Sequence, residues 1–475
     1  MNITRLLFLP LVVFAFSTDA EARDDSFAPV AKVVKGRSKH EVRWQADLAA
    51  RAEARSHARS LLRKPLTVER AVQIALLNNP GLQATFEEIG LSFAEVREAR
   101  TMSNPQVDFS VKFPDRGPNK PLYEWGIAQN FLDLLMLPLR TRVARENLAA
   151  AQLRVADEVI ALVANTKVAY YEAVAGEQTL TRLRLMLDAQ KASLEFMQKL
   201  HEAGNITDLR LSREQAEYSQ FRLEIATAEA EQREHREKLN RLMGAWGGGT
   251  AWKLSSAELP AVPAGEISLR GLETVAVGNR LDLAAARGEL QSAARSIGLE
   301  KAFRFIGALE FGIEGENEPD GMNLTGPSLH FELPIFNQGQ ARIARGEAQV
   351  RKAAAKFEQL AIEIRSNVRA LRDRLISKRD LAHFHVNEIV PTRKRITALT
   401  LLEYNAMLVG ATEAFTARRE DLEAEKSLIE ATRDYWVTRA ELERAVGGDL
   451  HTSPHAFLTT ITTRDHKTTT RARKP

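Results

Sequence analysis

The residues best placed to do chemistry in this 475-residue chain are charged groups on short alternating segments, and none has the spacing of a catalytic centre. His383 and His385 flank Phe384 on a helical stretch, so their side chains diverge and cannot share one ion. The glycines Gly244, Gly247, Gly248 and Gly249 lack the Lys-Ser or Lys-Thr that a phosphate loop needs. No zinc-type His pair lies on a helix, and no Ser/His/Asp order is recognisable. His451, His455 and His466 fall in a Thr-, Lys- and Arg-rich end and read as incidental. The sequence therefore assigns no catalytic residue, metal ligand or cofactor. Its chemistry lies in Asp108, Lys112, Glu310, Glu314 and Glu332, which fall on the polar sides of strands. Charges facing a watery lumen are tolerated, whereas charges facing a dry core are not.

Those charges need strands to aim them. From Gln106 to Phe113, Val107, Phe109, Val111 and Phe113 take one face and Asp108, Ser110 and Lys112 the other. Tyr123 to Phe131 returns with the same alternation after a turn-like stretch. Phe305 to Glu314 and Gly326 to Leu333 repeat the pair about 200 residues later. Each set is followed by Leu-Pro (Leu137-Pro138, Leu333-Pro334) and a long helix, and Asn79-Pro80-Gly81-Leu82 recurs as Arg280-Leu281-Asp282-Leu283. A tandem duplication is the economical reading. Four strands leave two open edges, which lipid forbids, so closure around a lumen needs several chains; a trimer supplies twelve strands. A soluble sandwich, the competing reading, has no use for isolated pairs with charged polar faces.

The helices set the second constraint. Thr67 is positioned to cap a short helix reaching Leu77, and a second helix runs from about Asn79 to Met102. The segment from Pro138 to His201 has 64 residues, and those from Asn205 to Met243 and Asn79 to Met102 have 39 and 24. Stacked end to end, the two shorter pieces match the long one, a column of about 95 Å. The second repeat carries helices from about Gln340 to Leu402 and Thr412 to Val446, with a kink expected at Pro391. Turns fall at Gly204 and near Gly410.

Composition agrees: 27% charged and 44% hydrophobic residues, with few aromatics, suit long solvated helices. The net charge of +4 is not distributed as a surface for nucleic acid. With no cysteine, disulfides and a lipid-modified N-terminal Cys are excluded. Residues 1–22 read as a secretory signal ending Ala20-Glu21-Ala22. Residues 23–65 form a basic extension with Lys32, Lys35, Arg37, Lys39 and Arg43, then Arg51, Arg55, Arg59 and Arg63 along one helical face. It reads as a solvated helix or disordered leader, or as a contact for anionic head groups or a partner. Residues 66–255 and 256–449 are the two repeats, and 450–475 a disordered tail.

Over Leu66 to Gly447 the chain resembles the TolC-type outer-membrane efflux proteins. The resemblance rests on Leu66-Thr67-Val68-Glu69-Arg70-Ala71 with Asn78-Asn79-Pro80, Leu333-Pro334-Ile335-Phe336-Asn337-Gln338-Gly339, Ile389-Val390-Pro391, and the hairpin turns at Glu202-Ala203-Gly204 and Tyr404 to Gly410. It implies a mainly α fold with a small β part: duplicated helical hairpins forming a periplasmic α-barrel, and four strands per chain in a homotrimeric twelve-stranded barrel spanning outer-membrane lipid of a Gram-negative bacterium. It also implies a passive exit duct, not an enzyme, for small molecules or metal ions. A periplasmic membrane-fusion adaptor and an inner-membrane pump are the implied partners. Ala203, Gly204, Leu408, Val409 and Gly410 are the candidate docking tips, and Asp208 and Glu413 the candidate aperture. Tyr404-Asn405-Ala406-Met407 is closest to heavy-metal efflux members. Leu281 departs from the usual Pro, and Thr416 and Arg419 stand where some relatives carry aspartates. A periplasmic coiled-coil spacer is the rival reading; it has no need of lumen-facing strands.

Overall fold

In the computed structural model, the described residues are 19–113, 115, 121–256, 258–265, 271–305, 309–318 and 321–450. Residues 1–18, most of the expected signal, and 451–475, the expected tail, lie outside them. The basic extension is not a free leader. It forms α1 (Asp19–Ser38) and α2 (Leu48–Leu62). Phe27, Val30 and Val34 recur at helical spacing and are buried against Phe86, Val155 and Val159. On the second helix Ala54 and Ala58 turn inward while Arg51, Arg55, Arg59 and Arg63 stay exposed. Burial of one apolar stripe is what fixes these helices.

The first repeat follows the sequence closely. Thr67 caps α3 (Val68–Asn78), its side chain accepting from the Arg70 amide. Asn79-Pro80 breaks the helix and opens α4 (Pro80–Ala99), with Asn79 Oδ1 accepting from Leu82 N at 3.1 Å. Strands β1 (Gln106–Lys112) and β2 (Leu122–Asn130) pair antiparallel. The long helix α5 (Phe131–Glu202) starts seven residues before the expected Pro138. Asn130 caps it by accepting from Asp133 N, and Pro138, the eighth residue of the helix, lacks the N–H that would donate to the Leu134 carbonyl. Helix α6 (Asp208–Met243) returns and stops at Gly244, left-handed at φ +62°.

The second repeat adds α7 (Leu272–Asn279), α8 (Leu281–Ala302), β3 (Leu309–Asn317), β4 (Asn323–Phe331), α9 (Gln340–Phe384), α10 (Val390–Asn405) and α11 (Ala411–Val446). The strands are displaced from their expected bounds. Phe305 belongs to the turn closing α8, and β4 begins three residues earlier than expected. At Pro391 the helix absorbs the missing donor through a π turn at His385–Ile389. The four strands form one sheet in the order β1-β2-β3-β4, with β1 and β4 as free edges.

Each repeat joins two shorter helices end to end beside a long one, as the lengths implied. Asn78 Nδ2 donates to Met243 O and Gly244 O at 3.0 and 2.7 Å, and Asn79 Nδ2 to Leu242 O at 2.9 Å. The last carbonyls of α6 are thus satisfied by the residues that open α4. A Cβ on Gly244 would lie 2.3 Å from Asn78 O, so only glycine fits. In the second repeat Arg37, from α1, donates to Asn279 O and, at 2.9 Å, to Gly447 O. Burial pulls the Arg37 pKa down to about 10, which leaves it charged at neutral pH.

Candidate functional site: a two-faced sheet and paired helical tips

Strand register fixes which charges share a face. Asp108 pairs with Gly126, Gly126 with Glu314, and Glu314 with Gly326, so one row crosses all four strands. Glu310 pairs with His330, whose Nδ1 lies 3.8 Å from Glu314 Oε1. Lys112 ion-pairs with Glu124. Asp108, Glu124, Glu314 and Glu316 line a concavity of about 660 Å³ on this face. Glycines in the row leave it open: a Cβ on Gly126 would come within 3.3 Å of the Glu314 side chain. Glu332, expected among these charges, lies one residue past β4. Glu316 was missed because the strand was ended at Glu314, although alternation continues through it. Carboxylates outnumber cations here, so the face attracts cations.

The opposite face is apolar and uncovered. Phe109 is 68% exposed and Val107 70%, beside exposed Ile127, Phe311 and Ile313. Trp125 lies over Gly315, where a Cβ would fall 2.5 Å from the indole. A contiguous apolar face of this kind is what lipid or another apolar surface covers. No helix among the described residues is long and apolar enough to cross a membrane.

At the far end lie two hairpin tips. Ala203 closes α5, and Gly204 takes φ +75° while Asn205 N donates to Leu200 O at 2.8 Å. In the second tip the left-handed residue is Met407, at φ +62° and 93% exposed, with Leu408 N donating to Glu403 O at 2.9 Å. The turn falls near Gly410 as expected, but Gly410 itself is extended, at φ −82° and ψ 164°, and the left-handed residue sits three residues earlier. Leu408 is exposed and Val409 partly so. Asp208 opens α6 and its Oδ1 lies 2.6 Å from His201 Nε2 across the turn. Glu413 lies in the first turn of α11 and is exposed.

The two tips lie side by side. Arg210 Nη2 reaches Thr412 Oγ1 at 3.4 Å, and the Phe196 and Phe415 rings are 6.5 Å apart. Glu217 pairs with Arg419 at 2.7 Å and Glu224 with Lys426 at 2.5 Å. The three polar contacts join residues 202 apart. The steps of seven along each helix keep one stripe facing its partner. The charge of Arg419, which stands where an acidic ring was in doubt, is thus engaged by Glu217. His383 Nε2 donates to Pro263 O at 2.9 Å, a packing role. Among the described residues no three metal-ligating side chains converge.

A family profile described as outer membrane efflux protein matches residues 71–245. The cobalt-zinc-cadmium resistance protein CzcC of Cupriavidus metallidurans is 21% identical over 385 residues, covering 78% of this chain and 86% of that protein. Among solved structures, CusC superposes with a TM-score of 0.64 at 21% identity, over 80% of this chain and 92% of that one. The CmeC outer-membrane channel of Campylobacter jejuni gives 0.68 at 15% identity, over 82% and 87%.

Proposed function

We propose that the chain, similar to the outer membrane efflux proteins in sequence and fold, serves as the outer-membrane exit duct of an efflux system and does so as a homotrimer that conducts cations. The observation carrying this reading is the two-faced, open-edged sheet. Free edges at β1 and β4 invite pairing between copies. Three copies would close twelve strands, setting Phe109 and its neighbours against outer-membrane lipid and the Asp108–Glu314 rows against water. The helices then descend into the periplasm, where Ala203, Gly204, Leu408, Val409 and Gly410 would meet an adaptor coupled to an inner-membrane pump. Asp208 and Glu413 would border the aperture. Transport along such a duct needs no catalytic step.

The acidic strand face supports a cationic cargo, and the metal-resistance relative is in keeping with it. The test places a charge on each face. If Phe109 faces lipid near mid-bilayer, Phe109→Arg costs about 2 to 4 kcal/mol and lowers the yield of trimer recovered from outer membranes. Asp108→Arg assembles normally but lowers cation export. Light scattering in detergent reads the assembly and metal susceptibility of cells the export. Equal tolerance at both positions would refute the assigned faces.

A further inference from the structure

The first-repeat joint carries a feature that a duct does not use. Between α2, the end of α6 and the glycine turn that follows it lies an open groove of about 740 Å³. Its cations are Arg55, Arg59, Arg63, Lys64 and Lys253, and no Asp or Glu lines it. None of the five forms an ion pair among the described residues, whereas cations elsewhere are paired freely: Arg182 with Glu425, Lys238 with Glu172, Lys378 with Asp434. Like charges gathered without partners are relieved by a polyanion. Arg55 to Arg63 spans two helical turns, about 12 Å, so the ligand must carry several charges along its length.

Two further features narrow its chemistry. Trp246 stands on the rim, 82% exposed, whereas Trp252 behind it is buried. Beside it Gly247 and Gly248 present bare backbone, with nothing within 4 Å of an added Cβ. An indole face next to side-chain-free backbone accepts a sugar ring, and arginine forks suit carboxylates. Depth excludes the other source of anions. Asn78, in the groove wall, begins the 20-residue rise of α4 toward the sheet, about 30 Å, well beyond the thickness of a headgroup layer.

We propose that this groove binds a carboxylate-bearing glycan of the periplasmic wall, holding the duct at a fixed depth. The proposal rests on the outer-membrane placement of the chain. Its test is co-sedimentation of the detergent-solubilised assembly with purified peptidoglycan sacculi. The native protein sediments at low salt and is released by added salt. The triple variant Arg55→Gln, Arg59→Gln, Arg63→Gln lowers the bound fraction at least tenfold, and Trp246→Ala lowers it about threefold. Arg213→Gln, Arg222→Gln, Arg233→Gln, three exposed arginines on α6, is the equal-charge control and binds as the native protein does. Undiminished binding by the groove variant, or equal loss in the control, overturns the proposal. So does groove-dependent binding to phosphatidylglycerol vesicles without binding to sacculi, which identifies a lipid ligand. Loss of assembly in the groove variant alone also overturns it, by making the arginines contacts between copies. Failure of the native chain to assemble or insert would instead count against the duct.

Discussion

The two end-to-end helix joints solve one problem with different parts. At the first, Asn78 and Asn79 satisfy the last carbonyls of α6 from within the repeat, and Asn79 caps α4 with its remaining oxygen. At the second, Asn279 contributes its carbonyl only as an acceptor, and a guanidinium from outside the repeat bridges it to Gly447. Arg280, standing where the first repeat has Asn79, turns to Asp282 and to Arg444 O. The two joints share a geometry, but the donor that completes the second comes from a different element. The first joint is self-contained, whereas the second depends on α1.

Glycine substitutions should separate the joints most sharply. Gly244→Ala forces a Cβ to 2.3 Å from the Asn78 backbone oxygen in a left-handed residue, while at Gly447 the nearest atoms are 3.2 Å away. Gly447→Ala should therefore cost about the left-handed penalty alone, 1 to 2 kcal/mol. Gly244→Ala should exceed it by at least as much again, because backbone must move. Urea midpoints of the solubilised protein give both values. Equal costs would show that the two approaches are equally soft.

Next in size is Arg37→Met, which leaves the Asn279 and Gly447 carbonyls without their buried donor. At about 1 to 2 kcal/mol for each of the two orphaned acceptors, the lower part of the usual range because the Asn279 contact is only part-buried, the loss should be about 2 to 4 kcal/mol. Asn78→Ala exposes its carbonyls at a part-buried site where water can enter, so about 1 to 2 kcal/mol is expected. If Asn78→Ala is the costlier, the first joint is the tighter one. Hydrogen exchange across Leu272–Asn279 should rise in Arg37→Met and stay unchanged in Asn78→Ala.

Which parts of this were legible follows from where the signals lie. Strands could be read because Val107, Phe109 and Val111 alternate with charge, and the offset between repeats because Asn79-Pro80-Gly81-Leu82 leaves a trace in Arg280-Leu281-Asp282-Leu283. The second strand pair was placed too early at β3 and too late at β4. Phe305 continues an apolar and charged mix that also suits the end of α8, and a period of two does not mark where pairing begins. Arg37 was read only as part of a basic stretch. Its acceptors are backbone carbonyls 242 and 410 residues away, and carbonyls leave no mark in side-chain pattern. The Phe27, Val30, Val34 stripe was the available signal that α1 packs. The left-handed Met407 was hidden by Gly410, the residue type that turns usually demand.

The second joint should also respond to pH where the first does not. Asp157 on α5 is pushed up to about 6 by burial, with Asp282 adding to the rise and Arg280 and Arg444 opposing it. A carboxylate with a raised folded pKa binds its proton more tightly in the folded state. Its stabilising contribution is full below the ordinary value near 3.8 and is lost as pH climbs to about 6. Over that window the loss is on the order of 2 to 3 kcal/mol. Asp157→Asn should flatten this part of the stability profile and raise stability at pH 7. A profile unchanged by the substitution would mean that the surrounding arginines fully compensate the charge.

The smallest effect belongs to the contacts that align the two repeats along their length. Glu217–Arg419 and Glu224–Lys426 join α6 to α11 at a constant offset, and they look like what holds the hairpins in register. Energetics argue otherwise. Both pairs are partly open to water, so solvent screens them and each costs side-chain entropy, leaving about 0 to 1 kcal/mol per pair. Leu183, Met186 and Leu422, buried between α5 and α11, resist a slip of register more strongly, because displacing them opens a cavity. A double-mutant cycle on Glu224→Gln and Lys426→Met should give a coupling below about 1 kcal/mol that shrinks further in added salt. A coupling above about 2 kcal/mol that survives salt would move the alignment of the repeats from the joints and the core to this ladder. The steps of seven along α6 and α11 would then be the cause of their side-by-side course rather than its consequence.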